Sequence, residues 1–381
     1  MTIQSERSTR SQSLTLLPML ATTLLTGLAC AAQPEAIKQA AQDAVTETVA
    51  PAVEPLFPPR FGVFEAPERS QGSVRIATYN IENLFDDADD PALSDRQEDI
   101  DDLKPEGQMS AVARAIREID ADILCLQEIE SREALDWFMS GRLDEMGYTH
   151  VLSLDAGDER GIEQAIVSRF PIVEHTNWVR RPLGGIHPEK YGSGRNWHAG
   201  EDIVFHRSPL MGVVEVPGSV LGTEEPLHLR LIVVHHKSGR HSQYWRDKEA
   251  EGLLEVLAGI DEKSGLGPTL ILGDFNAQHR DPSVQAYLTG GFTDLFADNK
   301  GDAARWASHE TGRRIDLILA NEEARSLADP KSEFVLGTPA RPSDISWRQL
   351  DTFDGYAADH YPVVVELRAL LETTPNAGES P

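Results

Sequence analysis

The chain has 381 residues, 40% hydrophobic and 25% charged, enough to bury a substantial core in one large domain or two smaller ones. Its net charge of −27 argues against broad electrostatic adhesion to nucleic acid or anionic lipid, though screening over roughly 8–10 Å leaves one cleft free to carry the opposite sign. Two cysteines, one near the N-terminus, exclude an internal disulfide framework.

Arg7 and Arg10 precede an apolar stretch from Leu14 to Leu28, and the small residues Ala29, Ala31 and Ala32 follow. This is the pattern of an export signal over residues 1–30. With Pro18 and several threonines the stretch falls short of the roughly 20 apolar residues of a spanning helix. A retained signal anchor is the alternative. Gly27-Leu28-Ala29-Cys30 is similar to a bacterial lipoprotein cleavage box, although Gly27 stands where a branched apolar residue is usual. Membrane attachment through a lipidated Cys30 and free secretion after Ala31 or Ala32 both stay open; either is an exported fate, periplasmic, outer-membrane-anchored or extracellular. Residues 31–72 are rich in Ala, Pro, Glu, Gln and Thr and read as a disordered tether, as does the tail over 371–381.

Between them, residues 73–370 form one domain, expected to be monomeric. Strand patterns fall near 74–80, 122–128, 149–153, 164–168, 211–216, 229–236, 268–274, 314–320 and 361–368, and helical patterns near 109–119, 132–146 and 242–262. Cys125 lies in an apolar strand and reads as a small buried hydrophobe. The acidic run Asp86-Asp87-Ala88-Asp89-Asp90, continuing to Asp101-Asp102, lacks the spacing of a calcium loop and reads as a solvated surface segment.

The chemistry gathers at strand ends. Leu270-Ile271-Leu272-Gly273 is an apolar run that stops at a glycine, and Asp274 and Asn276 emerge beyond it. Asn80, Glu128, His235 and the pair Asp359-His360 likewise sit at ends of apolar segments. Singly, each has a structural reading. Glu128 can cap the following helix, Asp274 and Asn276 can form an Asx turn, Asp316 can pair with a neighbouring arginine, and His360 can be a satisfied core histidine. His235-His236 suggests zinc, but adjacent strand residues point to opposite faces, so the two rings do not readily share an ion.

Taken in order, Thr78-Tyr79-Asn80-Ile81, Leu126-Gln127-Glu128, Arg160-Gly161-Ile162, Ser168-Arg169-Phe170-Pro171-Ile172, His235-His236-Lys237-Ser238, Gly273-Asp274-Phe275-Asn276, Arg314-Ile315-Asp316 and Asp359-His360-Tyr361-Pro362 resemble the endonuclease/exonuclease/phosphatase superfamily over roughly residues 74–368. The resemblance implies an α/β fold: a four-layer α-β-β-α sandwich of two mixed β-sheets with outer helices. It implies phosphoester hydrolysis by an activated water, assisted by Mg2+ or Mn2+, without a phosphoenzyme. By the same resemblance Asn80, Glu128 and Asp359 serve the metal. Asp274 is the base or orienting group for water, and Asn276, His235 and His360 donate to the phosphate. Asp316 holds the ring of His360. Two positions depart from the family pattern: His236 stands where an apolar residue is usual, and Ala358 where a small hydroxyl residue is.

The substrate is less legible. The glycine-rich segment from Leu183 to His198 interleaves aromatic and basic residues, so Arg195 is a candidate phosphate clamp and Trp197 a candidate base-stacking platform, against an ordinary surface loop. Arg240 and Arg246 are further phosphate-contact candidates. The expected partner is a phosphoester, DNA or RNA; a small or lipid phosphate and a non-catalytic tethered module are the alternatives.

Overall fold

The computed structural model describes residues 59–88, 103–297, 301–341 and 355–368. The expected leader with Cys30, the tether up to residue 58, the acidic run from Asp89 to Asp102 and the tail lie outside the described residues.

The first strands are β1 (Ser73–Leu84), β2 (Ile123–Ile129), β3 (His150–Ser153), β4 (Glu163–Ser168) and β5 (Ile172–Asn177). A strap of short strands follows: β6 (Pro182–Ile186), β7 (Lys190–Tyr191), β8 (Gly194–Arg195) and β9 (Asp202–Val204). Then come β10 (Leu210–Val216), β11 (Leu227–His235), β12 (Thr269–Asp274), β13 (Thr293–Asp294), β14 (Asp316–Ala320), β15 (Phe334–Val335) and β16 (Val363–Arg368). Two six-stranded sheets result, in the orders β15-β16-β1-β2-β4-β3 and β13-β14-β12-β11-β10-β5. Each is mixed. A central parallel pair, β1 with β2 or β11 with β12, is flanked by antiparallel neighbours.

Alternation along the strands sorts side chains into three apolar layers. Ile76, Cys125, Val214, Leu231, Leu272 and Val365 belong to the core between the sheets. Tyr79, Leu126 and Val167 face outward and pack with Val112 and Ile116 of the helix Glu106–Ile119 and Phe138 of the helix Arg132–Met139. On the other side Val234, Ile271 and Leu319 pack with Leu253 and Leu257 of the helix Gln243–Ser264 and Tyr287 of the helix Pro282–Thr289. These are the four layers expected from the resemblance. No helix among the described residues is long and apolar enough to cross a membrane.

The helix expected over 132–146 stops at Met139. Gly141 and Gly147 both have φ above 70°, and only a short turn at Asp144–Met146 remains helical. Strand β5 escaped the sequence pattern because it is an edge strand with largely exposed polar residues.

Candidate active site

Strand parity delivers the site. On β1, Asn80 shares the inward face of Ile76; on β11, His235 shares that of Val233; on β12, Asp274 shares that of Leu272; on β14, Asp316 shares that of Ile318. Register then brings them level, since His235 pairs with Asp274 and Asp274 pairs with Asp316 across three adjacent strands. Gly273 permits this alignment. Its φ is 137°, and a Cβ there would lie 2.0 Å from the Val234 carbonyl oxygen. In the other sheet the register of β2 slips between Gln127 and Ile129, and Glu128 takes a φ of 65°.

Asp274 is the hub. Its Oδ1 accepts the Asn276 backbone N–H at 2.7 Å, while its Oδ2 lies 3.3 Å from Asn80 Nδ2, 3.5 Å from His235 Nε2 and 3.8 Å from His360 Nε2. It is both the turn-former and the cleft carboxylate. Glu128 Oε1 is 3.4 Å from Asn80 Nδ2 and 3.6 Å from His235 Nε2. Glu128 does not cap the next helix; Ser131 does, accepting from Ala134 N. Among the described residues Asp316 pairs with no arginine. It accepts from Ser308 Oγ at 2.6 Å and from His360 Nδ1 at 2.9 Å, while Arg314 binds Asp294.

Burial pushes the Asp274 carboxyl up to about 6, with His360 pulling against it. Burial also works against charge on His360, but Asp316, Asp274 and Asp359 outweigh it and hold the ring's pKa well above the ordinary histidine value. For His235, burial with Arg207 and Arg160 nearby drives the pKa well below that value. Burial would raise Asp359, yet His360 and His309 hold it down at about 2. The pKa values of the two histidines facing Asp274 are thus shifted in opposite directions.

Glu128, His235, Asp274, Asp359 and His360 line a cleft of about 490 Å3 that also takes in Asp158, His206, Arg207 and His309, none of them expected from the sequence. Asp158, whose side chain is buried, pairs with Arg207 Nε at 2.9 Å and lies 3.7 Å from Arg160 Nε. Behind this basic wall Glu249, also buried, accepts the backbone N–H of His206 and of Lys237. No periodic pattern marks these residues, since loops bring them in.

Two of the expected site residues are held by specific partners. Asn80 Oδ1 accepts Glu82 N at 3.0 Å, and the amide presents its NH2 to Glu128 and Asp274, so it orients both carboxylates. Asn276 lines the cleft, but its NH2 already donates to Asp274 Oδ2 and to the His236 carbonyl. Four expected substrate contacts do not line the cleft. Arg195 lies over the Trp197 ring at 5.3 Å on the strap, Trp197 being 79% exposed, and Arg240 is an exposed loop residue. Arg246 is buried against the carbonyls of Lys237 and Gly239 and is structural. The unusual His236 points outward as parity requires. It stacks on Tyr287, with Nε2 3.0 Å from that hydroxyl and Nδ1 3.3 Å from Glu249. At the Ala358 position, Asp359 N donates to Glu82 Oε2 at 3.2 Å.

A family model described as the Endonuclease/Exonuclease/phosphatase family matches residues 77–344, more than half of the chain and all of the strand ends just described except those at Asp359 and His360. The chain belongs to the endonuclease/exonuclease/phosphatase family. It is therefore a hydrolase of that family. Among solved structures, the human Nocturnin catalytic domain with bound sulfate is similar at a TM-score of 0.51 and 16% identity, over 81% of this chain and 98% of that one. Truncated TDP2 from Caenorhabditis elegans gives 0.47 at 16% identity, over 78% and 99% of the two chains. The Bacteroides thetaiotaomicron mannosyl-6-phosphatase Bt3783 gives 0.46 at 19%, over 78% and 100%. At such an identity the likeness to the Nocturnin domain speaks for the fold alone. No curated protein matches in sequence.

Members of this family typically depend on a divalent metal, and the cleft offers suitable groups. Asp359 with His309 and His360, and Asp274 with Asp316 and His360, bring possible ligand atoms within 4.8 Å of one another. The hard oxygens of Glu128 and Asp359, the latter strongly acidic, are the donors that suit a small dication keeping several waters.

Proposed function

We propose that this hydrolase cleaves phosphodiesters, with nucleic acid as the substrate class, by attack of a water oriented at Asp274. The observation that carries the reading is the convergence of Asn80, Glu128, His235, Asp274 and His360 on one cleft. Glu128 and Asp359 are the residues to hold Mg2+ or Mn2+, which when bound supplies Lewis-acid stabilisation of phosphoryl charge. The chain's own groups do the rest. Asp274 accepts a proton from water at Oδ2, with its other oxygen pinned by the Asn276 N–H. His360, kept protonated by Asp316, donates Nε2–H toward the oxygen where negative charge builds. His235, neutral and against Glu128 and Asp274, adds a second imidazole whose Nε2 faces the same point.

Charge balance favours a diester. Five carboxylates line the cleft (Glu128, Asp158, Glu159, Asp274, Asp359) and Asp316 lies behind His360, against three basic side chains (Arg160, Arg207, Lys237) and the protonated His360. One dication brings this set close to neutral, which suits the single charge of a phosphodiester better than the roughly −1.5 to −2 of a monoester near pH 7. Export, with attachment through Cys30, belongs to the same proposal and is supported by the Arg7-to-Cys30 pattern; metabolic labelling with palmitate, lost in Cys30→Ser, tests it.

The decisive experiment is a panel of plasmid, single-stranded DNA, RNA, sphingomyelin, inositol phosphates and paired p-nitrophenyl mono- and diesters, each with and without chelator. Chelator-sensitive cleavage with the diester preferred is expected. Preference for the monoester, or cleavage untouched by chelator, overturns the reading.

A further inference from the structure

We propose that His309 is a further catalytic residue, a hydrogen-bond donor with a fixed tautomer that takes a phosphoryl oxygen beside the one met by His360. This rests on the phosphodiesterase reading above and adds a residue to the same cleft.

The case begins in the backbone. The turn from Ser308 to Arg313 is closed by Ser308 N and His309 N on the Arg313 carbonyl and by Gly312 N on the His309 carbonyl. It is then sewn to the segment carrying Asp359 and His360: Glu310 N donates to the Asp359 carbonyl at 2.7 Å, and Tyr361 N to the Ser308 carbonyl at 2.7 Å. His309 and His360 are thereby directly paired across an antiparallel bridge. Paired residues project to the same side, and the two rings meet edge to face at 4.6 Å. The same turn supplies the Ser308 hydroxyl that binds Asp316, so it orients the partner of His360 as well.

The side-chain chemistry follows. Thr311 N donates to His309 Nδ1 at 3.0 Å, and a backbone N–H has no other role to play. The Thr311 hydroxyl, which accepts from Arg313 Nε at 2.9 Å, lies 2.8 Å from the same nitrogen and aims its proton there. Two donors on Nδ1 place the ring proton on Nε2. Nε2 faces the cleft, 3.6 Å from Asp359 Oδ2, too far for a good hydrogen bond. A protonated Nε2 has no lone pair for a metal, so although His309, Asp359 and His360 are close enough to share an ion, the two imidazoles here form a pair of donors. An oxyanion bearing two adjacent oxygens is the ligand such a pair fits.

The test uses the full chain stripped with chelator and titrated with inorganic phosphate, while the histidine Nε2–H signals are followed by NMR. Phosphate should perturb the His309 signal, and His309→Ala should weaken phosphate affinity roughly tenfold, as for loss of a hydrogen bond to a charged group. On the best substrate of the panel, kcat of His309→Ala should fall about 10²-fold, the size seen for one lost oxyanion donor. The metal concentration for half-maximal activity should not move, and His309→Gln, which keeps an amide donor at similar reach, should recover much of the loss. Unchanged phosphate affinity in His309→Ala overturns the inference. So does a metal requirement that climbs as kcat falls, or a glutamine variant no better than alanine. If the wild type hydrolyses nothing in the panel yet phosphate still reports on His309, the function reading fails while the donor assignment stands.

Discussion

Asp274 carries opposite demands on its two oxygens, and this makes it the most informative position to alter. Oδ1 holds the Asn276 N–H and so stabilises the turn, while Oδ2 faces two imidazoles and the Asn80 amide. Asp274→Asn keeps an oxygen for the turn but removes the basic one. Turnover should fall by roughly 10²–10⁴, the range for losing a positioned base, with melting temperature little changed. Near-wild-type turnover would remove Asp274 from the chemistry. Its place was legible in the sequence, as were those of Asn80 and His235, because each ends an apolar run whose alternation fixes its face. Glu128, of the same parity as the outward Leu124 and Leu126, reaches the cleft through the register slip, and it and His360 were legible through their motifs. His309, Asp158 and Arg207 were not legible. They lie in loops, where facing the cleft depends on closures such as Glu310 N to the Asp359 carbonyl that no local pattern encodes. Trp197 misled for the converse reason: an aromatic among glycines and basic residues has the composition of a binding loop wherever the chain takes it, and here it packs with Arg195 away from the cleft.

Strands, rather than helices, position the chemistry, and their tolerances are correspondingly tight. The parallel pairing of β11 with β12 sets His235 opposite Asp274 only because Gly273 has no Cβ to strike the Val234 carbonyl. Gly273→Ala combines a strained φ with a 2.0 Å backbone clash, and should cost about 3–5 kcal/mol by chemical denaturation while distorting the site. A loss below about 1 kcal/mol would mean the strands can part there without penalty. Strand β4 shows a different stress. Burial pushes the Glu163 carboxyl to about 7 from an ordinary 4.5, with the Ser153 hydroxyl pulling it back. The folded state therefore prefers the proton. Stability from that preference is complete below about 4.5 and is lost as pH rises through about 7. Glu163→Gln keeps a neutral group in place. It should stabilise the protein at pH 8 by about 1 kcal/mol, a figure discounted for partial exposure, and change little at pH 4.5. Equal effects at both pH values would show that proton linkage is not the cause. The central strands were readable from apolar runs and the edge strand β5 was not, since its residues face solvent and lack the alternation that burial imposes.

On the nucleic-acid reading proposed above, a molecule of net charge −27 works against its own field when it binds its substrate. Within the cleft attraction comes from the wall of Arg160, Arg207 and Lys237, from His360 and from whatever ion Glu128 and Asp359 hold. Away from the cleft the substrate meets repulsion whose reach is set by the Debye length, about 30 Å at 0.01 M salt and about 8 Å at 0.15 M. Adding salt across that range should strip away the long-range repulsion while leaving the short contacts in the cleft largely intact. With divalent metal held saturating, kcat/KM on plasmid or long RNA should rise a fewfold between those concentrations. On a small diester, which samples little of the outer field, it should stay nearly flat. A basic nuclease that tracks many phosphates behaves in the opposite way, losing orders of magnitude in affinity over a similar interval. A steep fall on the long substrate would reveal an extended phosphate-binding surface beyond the cleft and would shift attention back to exposed basic residues such as Arg195 and Arg240.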